Sequence, residues 1–141
     1  MQIHRYTALA QLDDSLEDIV DFLFSRLEHY GDSKPDIRKC LEYAFNKGGS
    51  LTIGRLNSQM AGIVVVNETG MSGFIPENIL VYIAVEQSLR GMGIGRQLMQ
   101  HVIDHTKGNI ALHVEPDNPA RRLYEKLGFT NKYLEMRLLK P

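Results

Sequence analysis

Apolar residues recur along this chain with two different periods. Leu16, Ile19, Val20, Leu23 and Leu27 fall three and four apart. That spacing predicts one face of a helix running to about His29, capped by Asp13, Asp14 or Ser15 and ended by Tyr30-Gly31. Ile37, Cys40, Leu41, Ala44 and Phe45 repeat the spacing behind Ser33-Lys34-Pro35, an N-cap followed by a first-turn proline, and Gly48-Gly49 stops this second helix. Elsewhere the pattern is that of strands. Ile3 to Ala8 alternates. Leu51 to Leu56 and Met60 to Val66 flank Asn57-Ser58 as a hairpin, and a polar loop follows from Glu68 to Glu77. Ile79 to Val85 is a nearly unbroken apolar run, the mark of a strand buried on both faces. A third helix reaches about His105, Ile110 to Val114 reads as a strand, and Asp117 or Asn118 caps a short helix to Lys126, with Pro119 in its first turn. Tyr133 to Leu139 reads as a last strand. The order βααβββαβαβ predicts an α/β (α+β) layer structure, with helices covering a sheet.

Composition narrows the classes. At 141 residues, the chain suits one domain spanning positions 1–141. A net charge of −1 gives no electrostatic footprint for nucleic acid. The longest apolar runs fall well short of the roughly 20 residues of a membrane span, and the N-terminus lacks the features of a signal peptide. The single cysteine, Cys40, excludes an internal disulfide and suits a reducing compartment. A cytoplasmic protein with no nucleic-acid or membrane partner is the expectation.

The chemistry concentrates where the strand Ile79–Val85 meets Arg90-Gly91-Met92-Gly93-Ile94-Gly95 and then a helix. Unpaired N–H groups at a helix N-terminus, approached closely because glycines carry no Cβ, favour an anionic pyrophosphate. A P-loop is excluded, because no G-x-x-x-x-G-K-[ST] run exists. A dinucleotide fingerprint fits poorly: its third glycine falls at Arg96, and Glu86 to Arg90 separate the strand from the first glycine.

RGMGIG, by contrast, resembles the acyl-CoA signature [QR]-x-x-G-x-[GA] of the GCN5-related N-acetyltransferases (GNAT), met by Arg90, Gly93 and Gly95. Residues 118–129, NPARRLYEKLGF, resemble the second signature of that family. The resemblance covers the whole element order and implies a mixed, mostly antiparallel twisted sheet of about six to seven strands flanked by four helices. It implies an acetyl-CoA-dependent N-acetyltransferase, acting on the primary amine of a small molecule by direct attack in a ternary complex. A protein or peptide amine acceptor is the alternative within catalysis, and a non-catalytic acyl-CoA-binding regulator the alternative outside it. Members of the family are often dimers, so a homodimer is implied as a partner beside the amine acceptor.

The resemblance also assigns residues. Main-chain N–H groups of Arg90, Gly91, Met92, Gly93, Ile94, Gly95 and Arg96 would hold the pyrophosphate. The pantetheine arm would lie along Tyr82, Ile83, Ala84 and Val85 as an added strand, pairing at Ile83 and Val85. Asn118 would bond that arm, cap its helix, or both, and Arg121 and Arg122 would flank the CoA phosphates or simply decorate their helix. Tyr124 would protonate the leaving sulfur, since a phenol with a pKa near 10 is protonated at neutral pH.

The base stays open. The strand before the loop has no carboxylate, although Glu77 and Asn78 precede it. His113 occupies the place of a glutamate in ribosomal-protein acetyltransferases, and His113 and Glu115 share a strand face by the two-residue period. His113, Glu115 or a water chain would take the proton, and Tyr82 could orient acceptor or water. Deprotonating an alkyl amine with a pKa near 10.4 costs about 4 kcal/mol at about pH 7.4, against about 0.5 kcal/mol for an α-amine. His101 and His105 have metal-like spacing but lie off the buried stripe of their helix, so no metal is expected, and Cys40 reads as a small core residue.

Overall fold

The computed structural model describes residues 1–141. Ser15 caps α1 (Leu16–Leu27), its hydroxyl accepting from the Asp18 N–H at 3.1 Å. Ser33 caps α2 (Lys34–Asn46) in the same way through Asp36, with Pro35 in the first turn. Both apolar stripes turn inward: Ile19, Val20, Phe22 and Leu23 of α1 pack with Ile37 and Leu41 of α2 on one face of the sheet.

That sheet has five strands in sequence order: β1 (Gln2–Tyr6), β2 (Gly49–Leu56), β3 (Gln59–Glu68), β4 (Asn78–Val85) and β5 (Ile110–Ala111). β1 to β4 pair antiparallel, and β5 joins β4 in parallel. The β2–β3 turn puts both Asn57 (φ 52°) and Ser58 (φ 67°) in the left-handed region, which suits the twist of a two-residue hairpin. α3 (Ile94–His105) and the six-residue α4 (Arg121–Lys126) cover the other face, giving four helices in all. α3 lies close because Gly54 and Gly62, opposite each other on β2 and β3, leave room for Leu98. A Cβ on Gly62 would come within 2.6 Å of Leu98.

One expectation is refined and two are corrected. The strand expected at Ile79–Val85 is packed on both faces as expected, and only its regular alternation is broken. A bulge at Val81 breaks it: Val65 faces Tyr82 while Val66 faces Leu80. Leu80, Ile83 and Val85 therefore pack toward α3, and Tyr82 and Ala84 toward α1 and α2. β5 is only two residues long, so His113 and Glu115 lie beyond it, although the alternation persists, with Leu112 and Val114 half-buried and His113 and Glu115 exposed. Tyr133 to Leu139 forms no strand. Its side chains alternate in sequence but have no partner edge, so five strands are present rather than six or seven.

Candidate active site

β4 and β5 share ladder pairs only at Asn78–Ile110 and Ile79–Ala111. β5 leaves at the bulge, so the outer edge of β4 from Leu80 to Val85 has no strand beside it. An unpaired edge offers main-chain donors and acceptors to an extended ligand. At the Val85 end one acceptor is already engaged, since Arg90 Nε donates to the Val85 carbonyl at 3.3 Å.

The chain then turns through Glu86–Arg90 into the glycine loop. Gly91 (φ 83°) and Gly93 (φ 80°) both adopt the left-handed conformation. Nothing lies within 4 Å of where a Cβ would stand on either, so these glycines are needed for backbone shape, and the space before them is open. Gly93 is the N-cap of α3 and supplies no side-chain cap, which leaves the first N–H groups of that helix unclaimed by side chains. Gly95 does different work: a Cβ there would touch Leu123 at 3.4 Å, so the third glycine lets α4 pack against α3. Met92 is exposed at the tip, while Ile94 is buried and anchors the helix. The loop thus fits a pyrophosphate by its backbone. The side chain of Arg90 turns away, toward the end of α1.

Tyr124 comes from α4. It is 7% exposed, packs edge-on against Phe129 with ring centroids 6.0 Å apart, and makes no hydrogen bond through its hydroxyl within the chain. Burial pushes its pKa up to about 12, so the phenol stays protonated at neutral pH. Asn118 accepts from the Ala120 N–H at 2.9 Å, a turn that leads into α4 one step before the helix proper, whose N-cap is Ala120. Arg121 pairs with Glu125 at 3.7 Å, and Arg121 and Arg122 line an open groove of about 410 Å³ beside Asn118.

His113 and Glu115 are exposed, just beyond β5, and neither side chain has a hydrogen-bond partner in the chain, although the Glu115 carbonyl accepts from the Asn118 N–H at 3.0 Å. Tyr82 is buried on the α1–α2 side, and its hydroxyl donates to Asp32 Oδ2 at 2.5 Å. Burial first, then the bond to Asp32, raises its pKa well above the ordinary phenol. Glu77, in the loop before β4, accepts from the Asn109 N–H at 2.7 Å, and that bond lowers its pKa. It serves the β4–β5 junction rather than the open end. Cys40 is half-buried, with its thiol donating to Asn67, and burial pushes its pKa up to about 12. His101 and His105 stack at 4.0 Å, and His105 Nδ1 bonds the His101 carbonyl.

Sequence reasoning missed the residues that hold these parts together. Glu28, Tyr30 and Asp32, in the α1–α2 connection, bond respectively to the approach to the glycine loop, to the segment before α4 and to β4. No local pattern announces them, because their partners lie 50 to 87 positions away.

Known proteins share this fold. A sequence model of the acetyltransferase (GNAT) family matches residues 16–129. A 5-NmdU N-acetyltransferase of Pseudomonas phage PaMx11 is 32% identical over 91 residues, which cover 63% of this chain and 62% of that protein, so the match spans less than two thirds of the relative's length. Among solved structures, a ribosomal-protein-alanine N-acetyltransferase from Brucella melitensis biovar Abortus 2308 superposes with a TM-score of 0.70 at 15% identity, over 99% of this chain and 100% of that one. A chain of the NatC complex bound to Gag peptide and CoA gives 0.67 at 21% identity, over 92% of this chain and 86% of the other. With the family signature on the loop between β4 and α3, and the match running from α1 to Phe129, the chain belongs to the GNAT family of acetyltransferases.

Proposed function

We propose that residues 1–141 act as one domain that transfers the acetyl group of acetyl-CoA to a primary amine, most simply that of a small molecule, by direct attack within a ternary complex. The observation that carries this is the pairing of an open β4 edge with a glycine loop whose two left-handed residues face empty space. Main-chain N–H groups from Gly91 to Arg96 bind the pyrophosphate, that of Arg90 being already donated to the Gln87 carbonyl at 3.3 Å. Ile83, Ala84 and Val85 line the pantetheine path, and an N–H of β4 stabilises the oxyanion. Asn118 Nδ2, left free by the turn its oxygen makes, bonds the same arm, and Arg121 stands near the phosphates.

Tyr124 supplies the proton to the departing sulfur. Its raised pKa keeps that proton in place until it is needed. His113 is the base, with Glu115 or water as the alternatives. Both side chains are exposed and make no side-chain hydrogen bond in the chain. Tyr82, held by Asp32, orients the acceptor side.

The test is release of free CoA from acetyl-CoA across a panel of amines that includes small alkyl amines, peptide α-amines and 5-NmdU, the acceptor for which the phage relative is named. Release above the amine-free rate with a small amine is expected. Tight CoA binding with no release across the panel would replace the enzyme by an acyl-CoA-binding regulator.

A further inference from the structure

The connection between α1 and α2 touches three walls of the cleft through three alternate residues. Glu28 Oε1 accepts from Gln87 Nε2 at 2.7 Å and from Arg90 Nη1 at 3.2 Å, both in the approach to the glycine loop. Tyr30 Oη donates to the Asp117 carbonyl at 3.2 Å, on the segment that enters α4. Asp32 accepts from Tyr82 on β4. Arg90 reinforces the first tie: Nη2 donates to the Arg26 carbonyl at 2.9 Å, at the C-terminus of α1, where a cation also meets the helix dipole favourably. Arg26 in turn pairs with Glu86 at 2.6 Å. The last turn of α1 is thereby fastened to the segment Glu86–Arg90.

Glu28 makes these bonds from an unfavourable backbone. Its φ of 55° and ψ of −134° form a conformation that glycine adopts freely and a residue with a Cβ does not. Such an outlier calls for a reason. The sheet suggests one. β4 and β5 are laddered only at their common start, so no strand pairing fixes their separation at the working end. The connection from Glu28 to Asp32 crosses that gap. It also carries a hydroxyl in an acidic setting: the Tyr30 pKa is raised by partial desolvation, then by the carboxylates of Asp117, Glu115 and Glu28.

We propose that Glu28 is a positioning residue for the acyl-CoA loop, and that Glu28–Asp32 is a cross-tie that sets the opening of the cleft. The proposal rests on the acetyl-CoA reading above. Glu28 turns the Gln87 amide and the Arg90 guanidinium back toward α1. The N–H groups from Gly91 onward then face the open side in a backbone already ordered before the ligand arrives, which removes an ordering cost from binding. Without the carboxylate, Arg90 swings free and the turn before the glycines loosens.

The test compares Glu28→Gly and Glu28→Gln with the wild-type chain by calorimetric binding of acetyl-CoA and by thermal melting. Glycine relieves the backbone and removes the carboxylate together. The melting temperature is therefore expected to hold or rise, while the acetyl-CoA Kd rises about threefold to tenfold. Glutamine keeps an acceptor oxygen for Gln87 and loses the charge, so a smaller rise is expected, with the melting temperature unchanged. A merely structural role would move melting and leave affinity alone. Acetyl-CoA binding by both variants at the wild-type Kd overturns the proposal. If Glu28→Gly melts lower, the same criterion is applied to Glu28→Gln at a temperature where both proteins are folded. Failure of the wild-type chain itself to bind CoA would instead overturn the acetyl-CoA reading.

Discussion

The molecule divides near Lys107 into two regions built to different standards. Before it, four antiparallel strands are paired along their lengths and sandwiched between α1–α2 and α3. After it come a two-residue strand, a six-residue helix and an irregular tail. Of the buried apolar side chains, Tyr124 alone lies beyond Val102. The first region holds the glycine loop on a helix anchored by Ile94 and Leu98, and the second carries the proposed acid. A rigid platform for the donor thus faces a lightly held wall. Local opening free energies follow buried contacts, so the wall is the part expected to move.

The comparison breaks most sharply if the platform can be weakened without consequence. Leu98 is fully buried, and two glycines make room for it. Leu98→Ala should cost about 2–5 kcal/mol of unfolding free energy, read as a lower denaturant midpoint with an unchanged slope. A cost below 1 kcal/mol, on the order of a surface change, would mean that α3 does not rest on β2 and β3 as described.

Next in size is an effect on rate rather than stability. Tyr124→Phe keeps the ring against Phe129 and removes only the hydroxyl, which has no partner in the chain. Stability should change little, while kcat should fall by about 100-fold if the phenol protonates the thiolate. An unchanged rate would leave Tyr124 as a packing residue.

The same phenol predicts a pH effect. Its folded pKa of about 12 lies above the ordinary phenol value of 10.0, so the folded state resists ionisation that the unfolded chain permits. The resulting stability is fully present below pH 10 and is lost as pH rises toward 12. Tyr82 is shifted in the same direction and adds to the slope. Urea midpoints across this range should fall with pH in the wild-type chain, and less steeply in Tyr124→Phe. Parallel slopes would place Tyr124 in contact with water.

The two regions also differ in how much of each was legible in the sequence. The platform is assembled from local signals: Ser15 and Ser33 announce their helices through the N–H groups they accept from, and Asn57-Ser58 turns the hairpin by its own backbone preference. The left-handed glycines before α3 were legible for the same reason, since backbone shape at a helix start is a local property. The bulge at Val81 was not, because it is defined by the register of β3 rather than by β4 itself. Neither were the ties from Glu28, Tyr30 and Asp32. Tyr133 to Leu139 is the instructive failure, since its alternation satisfies the strand pattern and yet only a neighbouring edge could make it a strand.

That segment supplies the smallest and most discriminating prediction. Tyr133, Leu134, Met136, Leu138 and Leu139 are 79–90% exposed, and the only hydrogen bonds the tail makes are within itself. Side chains left in water on both sides of folding contribute almost nothing to the difference between the states. A chain ending at Lys132 should therefore unfold within about 0.5 kcal/mol of the 141-residue chain, the range of surface changes remote from packing. It should bind acetyl-CoA equally well, and it should be less prone to aggregate, because five large apolar groups have been removed from solvent. A loss on the order of 2 kcal/mol, as for a buried side chain, would show that the tail packs on the bare edge of β5 in solution. The second region would then be as well built as the first, and the contrast between platform and wall would disappear.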